Sequence, residues 1–176
     1  MIAKITVNIF FIIVLGTLQI AFISGLPGWL SYLNLYLVVI IFILGFAGFG
    51  SAIWWSVGAG FMLEVFSFLP FGVYLLSLGL TIIIANFLLN YFFTNRSLYS
   101  FFAIVSLSTL ASQVIINLMI FLFAETSNFF FSRRAFWILT LEQAAINLIF
   151  TLFVYYLVYF LSKNLRPVFL IKKDKY

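Results

Sequence analysis

Glu64 is the residue of this chain whose chemistry stands out most from its surroundings. It lies in GAGFMLEVFSFLPFG, residues 58–72, where every neighbour is apolar, aromatic, glycine, serine or proline. A charged side chain at the centre of a bilayer costs about 2.5–3.5 kcal/mol on insertion scales, and it usually faces a bundle interior or a cavity. We therefore expect Glu64 to have a partner, to be protonated, or to lie near a membrane interface.

The other side chains that could form a polar site are carboxamides and a second glutamate. Gln113 and Asn117 are one helical turn apart, as are Gln143 and Asn147, so each pair shares a helix face. Polar side chains in membranes tend to turn inward and bond across helices. The pattern predicts a polar cluster, or a shallow cavity, at the extracytoplasmic end of a bundle, made of Gln19, Asn34, Glu64, Gln113, Asn117, Glu142, Gln143 and Asn147. Plain interhelical hydrogen bonding of the amides and simple solvation of Glu142 are the alternatives.

Several kinds of catalytic chemistry have no residues to support them. The chain has no cysteine and no histidine, which excludes thiol nucleophiles, Cys/His zinc sites and imidazole acid–base catalysis. The only aspartate is Asp174, so an intramembrane aspartate pair is excluded. GFAGFG lacks the Lys-Ser/Thr ending of a phosphate-binding loop. The sequence predicts no enzyme activity, no cofactor and no metal.

The elements that must position these residues are membrane helices. Of the 176 residues 66% are hydrophobic and 7% are charged, and long apolar runs follow one another along the chain. We predict an all-α integral membrane bundle of about six transmembrane helices in one domain, 1–176. The predicted spans are about 5–24, 33–50, 52–69, 71–93, 98–123 and 136–162. The first run is longer than a signal-peptide core and is interpreted as a retained span.

The positive charges predict the orientation. With six spans, one side of the membrane holds Lys4, Arg96, Lys163, Arg166, Lys172, Lys173 and Lys175. The other side holds only Arg133 and Arg134, which are expected in an aromatic segment at the interface. Both termini are therefore expected in the cytoplasm, with a basic tail, 163–176. The net charge of +5 suits anionic lipid better than nucleic acid.

The third span carries a distinctive pattern. Ser56, Gly60 and Glu64 follow one another at four-residue intervals, a small-residue face that ends in the acid. Pro70 and Gly72 indicate a short turn that aims the acid into the bundle.

This stretch resembles the MreD family of bacterial rod shape-determining membrane proteins. The matching residues are Gly60, Phe61, Glu64, Val65, Ser67, Phe71 and Gly72. The family's acid is usually aspartate, so Glu64 is a departure. Span count, length, inward termini and a last span with Asn147 are also similar.

The resemblance implies a non-enzymatic scaffold of the cell-elongation, peptidoglycan-synthesising complex in the bacterial plasma membrane. Its expected partners are a bitopic MreC-like protein and, through it, an MreB-like filament and cell-wall synthases, with Glu64 lining the docking surface. It also implies a fold similar to the substrate-binding subunits of energy-coupling-factor transporters. Such a vitamin-uptake subunit is the alternative function, and an orphan membrane protein of structural role is a third interpretation.

Overall fold

The computed structural model of the chain describes residues 2–93, 97–123 and 134–164, and this part is helical without strands. Its α-helices are α1 (Ile2–Thr17), α2 (Leu35–Ala47), α3 (Phe49–Val65), α4 (Val73–Tyr91), α5 (Leu98–Phe123) and α6 (Arg134–Asn164). Segments long and apolar enough to cross a membrane are Ile5–Gly25, Val73–Tyr91, Leu98–Phe123 and Arg134–Phe160. The prediction of an all-α, multi-pass membrane bundle is confirmed at this level.

α2 and α3 are shorter than a typical membrane span. α2 has 13 residues and α3 has 17, which correspond to about 20 and 26 Å of helix, whereas the hydrocarbon core is about 30 Å thick. Gly48 separates the two helices with a φ of +89°, a conformation that favours glycine. The described part of the chain has four spanning segments. The count of six spans and the likeness to energy-coupling-factor subunits therefore stay predictions.

α2 is the central helix of the bundle. It packs against α3, α4, α5 and α6, and Leu37, Val38, Ile40 and Ile41 are completely buried. A helix that is apolar on all sides is expected to be enclosed by protein or lipid, and a short apolar helix favours enclosure by protein. The surrounding helices therefore enclose α2 within the bundle.

The helices around α2 follow the chain order. α3 packs on α4, α4 on α5, and α5 on α6. The Ser77 hydroxyl donates to the Ser112 carbonyl at 3.2 Å, which ties α4 to α5. α1 packs mainly on α3, and its side chains from Ile5 to Phe11 are largely exposed.

The segment between α1 and α2 is compact rather than extended. It contains a π-helical turn (Leu18–Phe22) and two 3-10 turns (Ile23–Gly25 and Gly28–Tyr32), the last of which packs on α6. Gly28 has a φ of +64° after Pro27. This segment brings polar side chains of the first predicted span to the start of α2.

Some predicted features lie outside the described residues. These are Arg96, Arg133 and the basic tail from 165 onward. Arg134 is described and begins α6.

Candidate functional site

The Glu64 hairpin comprises residues 60–75, the turn between α3 and α4 together with the adjoining helix ends. Glu64 is only 5% exposed. Its Oε1 accepts a hydrogen bond from the backbone N–H of Gly72 at 2.8 Å. Its Oε2 accepts from Tyr74 N–H at 3.0 Å and from Leu75 N–H at 3.1 Å. The first N–H groups of a helix have no partner within it and form its electropositive end. The carboxyl group of Glu64 therefore caps the N-terminus of α4.

Ser67, Gly72 and Gly60 complete the same turn. The backbone N–H and the hydroxyl of Ser67 donate to the Glu64 carbonyl at 3.2 and 3.3 Å. Gly72 has a φ of +102°, in the left-handed region that glycine adopts without strain. At Gly60, an added Cβ would lie 2.7 Å from the Cα of Leu75, so glycine is needed for α3 and α4 to approach. These four residues, from Gly60 to Gly72, act in one structural unit.

The aromatic tip of the hairpin is formed by Phe66, Phe68 and Phe71. All three are exposed, and Phe68 is completely so. The hairpin thus buries its acid and presents phenylalanine outward.

A second set of side chains caps α2. Gln19 Oε1 accepts from Leu35 N–H at 2.8 Å, and Asn34 Oδ1 accepts from Leu37 N–H at 3.1 Å. Asn147 Oδ1, from α6, accepts from Asn34 N–H at 2.9 Å. Three amide side chains from different parts of the chain thereby satisfy the start of the central helix, where unpaired N–H groups would be costly.

Asn147 links this cap to α5. It is fully buried, and its Nδ2 donates to Thr109 Oγ1 at 3.0 Å. Thr109 is not among the predicted polar residues. The signal for it is present in the sequence, because Thr109, Gln113 and Asn117 recur at four-residue intervals on one face of α5.

Near the Glu64 end of α5 and α6, two glutamines meet. Gln113 Nε2 donates to Gln143 Oε1, and Asn117 Nδ2 donates to the Gln113 carbonyl at 2.8 Å. Glu142 is partly exposed and makes no hydrogen bond to any described residue.

The predicted polar cluster is therefore arranged as separate groups. Gly60, Glu64, Ser67 and Gly72 belong to the hairpin, whereas Gln113, Asn117, Gln143 and Asn147 join α5, α6 and the start of α2. Within the described ranges no hydrogen bond connects Glu64 to an amide side chain. A partner-binding role for these residues stays a prediction.

The described part of the chain holds no group of three or more His, Cys, Asp or Glu residues that could bind a metal ion. The hydrogen bonds of the carboxyl and amide groups go to backbone N–H and carbonyl groups, to the Thr109 hydroxyl and to each other. The chemistry that this arrangement performs directly is the capping of helices inside an apolar bundle.

Replacing Asn147 with leucine is expected to lower the free energy of unfolding by about 2–4 kcal/mol, because the part-buried Asn34 N–H loses its acceptor and the buried Thr109 Oγ1 loses its donor. Unfolding of the purified protein by SDS titration from mild detergent measures this. Asn90→Leu is the matched control, since Asn90 is exposed and bonds only to Asn86 on its own helix. Equal stability of the two variants would contradict the proposed cap.

Comparisons with protein-family models, with curated proteins and with solved structures give no match to this chain.

Proposed function

We propose that this protein is a non-enzymatic, rod shape-determining membrane scaffold of the MreD type, which docks a bitopic MreC-like partner in the cell-elongation complex. In this proposal the protein lies in a bacterial plasma membrane. It has six membrane segments, and both of its termini are in the cytoplasm. α2 and α3 supply the two short segments, and the basic tail holds the chain at anionic lipid.

The observation that supports this proposal is the Glu64 hairpin. Four of the seven residues that resemble the family, Gly60, Glu64, Ser67 and Gly72, each have a role in the same turn. The capping acid, the close approach of two helices and the glycine with positive φ thus belong to one structural unit.

The docking surface in this proposal is the aromatic tip, residues 66, 68 and 71. Glu64 is buried and its oxygens are engaged by α4, so it positions the tip instead of contacting the partner. With the predicted orientation, the tip lies at the extracytoplasmic interface. A bitopic partner's span leaves the membrane there, and exposed aromatic side chains are the usual anchors of such contacts.

A vitamin-uptake subunit is the second candidate. In that interpretation, Gln113, Asn117, Glu142 and Gln143 would contact a ligand. Glu142 favours it to a limited extent, because its carboxyl group is the one at this end without a described hydrogen bond. The amides instead bond to one another, which favours a packed seam.

We expect Phe68→Ala to reduce capture of the MreC-like partner by at least about tenfold, as loss of a central aromatic contact does at other interfaces. The measurement is affinity purification of the tagged protein from gently solubilised native membranes, with mass spectrometry of the captured proteins. Glu64→Gln should also reduce capture while the bundle stays folded, because an amide cannot accept all three N–H groups of α4.

Phe160→Ala is the matched control, since Phe160 is also exposed but lies near the far end of α6. It should capture partner as the unaltered protein does. Unchanged capture by both Phe68→Ala and Glu64→Gln would refute the hairpin as the docking site. Recovery of a transport ATPase pair in place of an MreC-like protein would refute the scaffold function itself.

A further inference from the structure

A groove of about 970 Å³ lies between α1 and α3. Ile9 and Ile12 line it from α1, and Trp54, Val57 and Phe61 line it from α3. Ile5–Gly25, which contains most of α1, is the least enclosed of the four spanning segments, with 6% of its most apolar stretch buried. The described residues therefore leave the groove open on its outer side.

The length of the groove matches one leaflet of a bilayer. From Gly50 to Phe61, α3 rises about 16 Å along the groove wall. Half of a hydrocarbon core is about 15 Å thick. A transmembrane helix of a partner would need a surface about twice as long, so an acyl chain fits the groove better.

The polar groups of the groove are confined to one end. Asn8 and Ser51 line it close to the starts of α1 and α3, whereas the wall beyond them is apolar. Asn8 is exposed in the groove and makes no hydrogen bond to a described residue. It lies about 5 Å along α1 from Ile5, the first residue of the apolar segment. An amide at this depth is within reach of lipid phosphate and ester oxygens.

We propose that the groove binds one diacyl phospholipid from the leaflet at the end of the bundle where α1 begins. One of its two acyl chains lies along Ile9, Ile12 and Val57. The amide of Asn8 donates to a phosphate or ester oxygen. One end of the groove is polar and the rest is apolar. A phospholipid has the same distribution of polar and apolar groups, whereas the apolar span of a transmembrane helix does not.

Two substitutions test the proposal by different routes. Gly50→Phe places a large side chain at the groove, and a Cβ at Gly50 meets nothing within 4 Å, so this backbone position has room for a side chain. Asn8→Leu removes the polar contact and leaves the groove open. Gly79→Phe and Asn90→Leu are the matched controls, because Gly79 also has free space at its Cβ and neither residue lines the groove.

The measurement is native mass spectrometry of the purified full chain in mild detergent, titrated with 1-palmitoyl-2-oleoyl-phosphatidylglycerol. The dissociation constant of the first bound lipid is expected to rise about fivefold in Asn8→Leu, the factor that corresponds to one hydrogen bond of ordinary strength, and further in Gly50→Phe. Both controls should bind lipid as the unaltered protein does.

Equal lipid binding by Asn8→Leu and the unaltered protein would overturn the proposal. If Gly50→Phe does not fold, the lipid affinity of Asn8→Leu alone tests it. Loss of a captured membrane protein from both groove variants, with lipid binding unchanged, would overturn it in favour of a partner helix. The test is independent of the hairpin, since no residue of the aromatic tip is altered.

Discussion

Replacing Glu64 with alanine is expected to lower the free energy of unfolding by about 3 kcal/mol or more. The substitution removes the acceptor of three backbone N–H groups, those of Gly72, Tyr74 and Leu75. These hydrogen bonds are partly buried and Glu64 itself is buried, and each buried donor left without a partner costs about 1–3 kcal/mol. SDS titration of the purified protein in mild detergent gives the change.

Glu142→Ala is the control for this experiment. Glu142 is the other glutamate of the described helices. It is partly exposed and has no described hydrogen bond, so its removal should change stability by less than about 0.5 kcal/mol. Glu64→Asp should lie between the two, since its carboxyl group is one methylene shorter and cannot reach all three donors at once. If Glu64→Ala unfolds at the same SDS fraction as Glu142→Ala, Glu64 is not the cap of α4.

The hairpin and the amide network solve the same physical problem at different helices. A helix that begins inside an apolar bundle exposes N–H groups that lipid cannot satisfy. At α4 the acceptor is Glu64, eight residues before Gly72. At α2 the acceptors are Gln19, Asn34 and Asn147. Most of the hydrogen-bonding capacity of these side chains is therefore used to hold the fold.

The helices themselves were largely predictable from the sequence. Apolar runs with polar breaks indicate membrane helices, and α5 has the bounds of the fifth predicted span. The second predicted span, 33–50, exceeds α2, since Asn34 caps the helix at one end and Gly48 ends it at the other. Apolar composition continues through both residues, so it does not indicate where the helix begins and ends.

The partners of the polar residues were much less predictable. Glu64 and the start of α4 are close in sequence, so the short turn could have indicated the cap. Asn34 and Asn147 are separated by 113 residues, and only the packing of α2 against α6 brings them together. Periodicity places a side chain on a helix face, but it does not say which other helix that face meets.

Gly60→Ala is expected to destabilise the bundle by about 1–3 kcal/mol, the usual cost of overfilling a tightly packed site. The added Cβ would lie 2.7 Å from the Cα of Leu75 and 3.3 Å from its backbone nitrogen. Those are backbone atoms, so no rotation of a side chain relieves the contact, and α3 and α4 must separate. SDS titration again measures the loss, and Gly60→Leu should lose more.

Gly79→Ala gives the opposite expectation and so controls for helix propensity. A Cβ at Gly79 meets nothing within 4 Å, and alanine is more favourable than glycine inside a helix by about 0.5–1 kcal/mol. The same change should therefore stabilise α4 and destabilise α3.

Separation of α3 from α4 also moves the N–H of Leu75 away from Glu64, so Gly60→Ala and Glu64→Ala act on one contact. Their combined effect should be smaller than the sum of the two, whereas strict additivity would show that the close approach at Gly60 and the cap by Glu64 are independent.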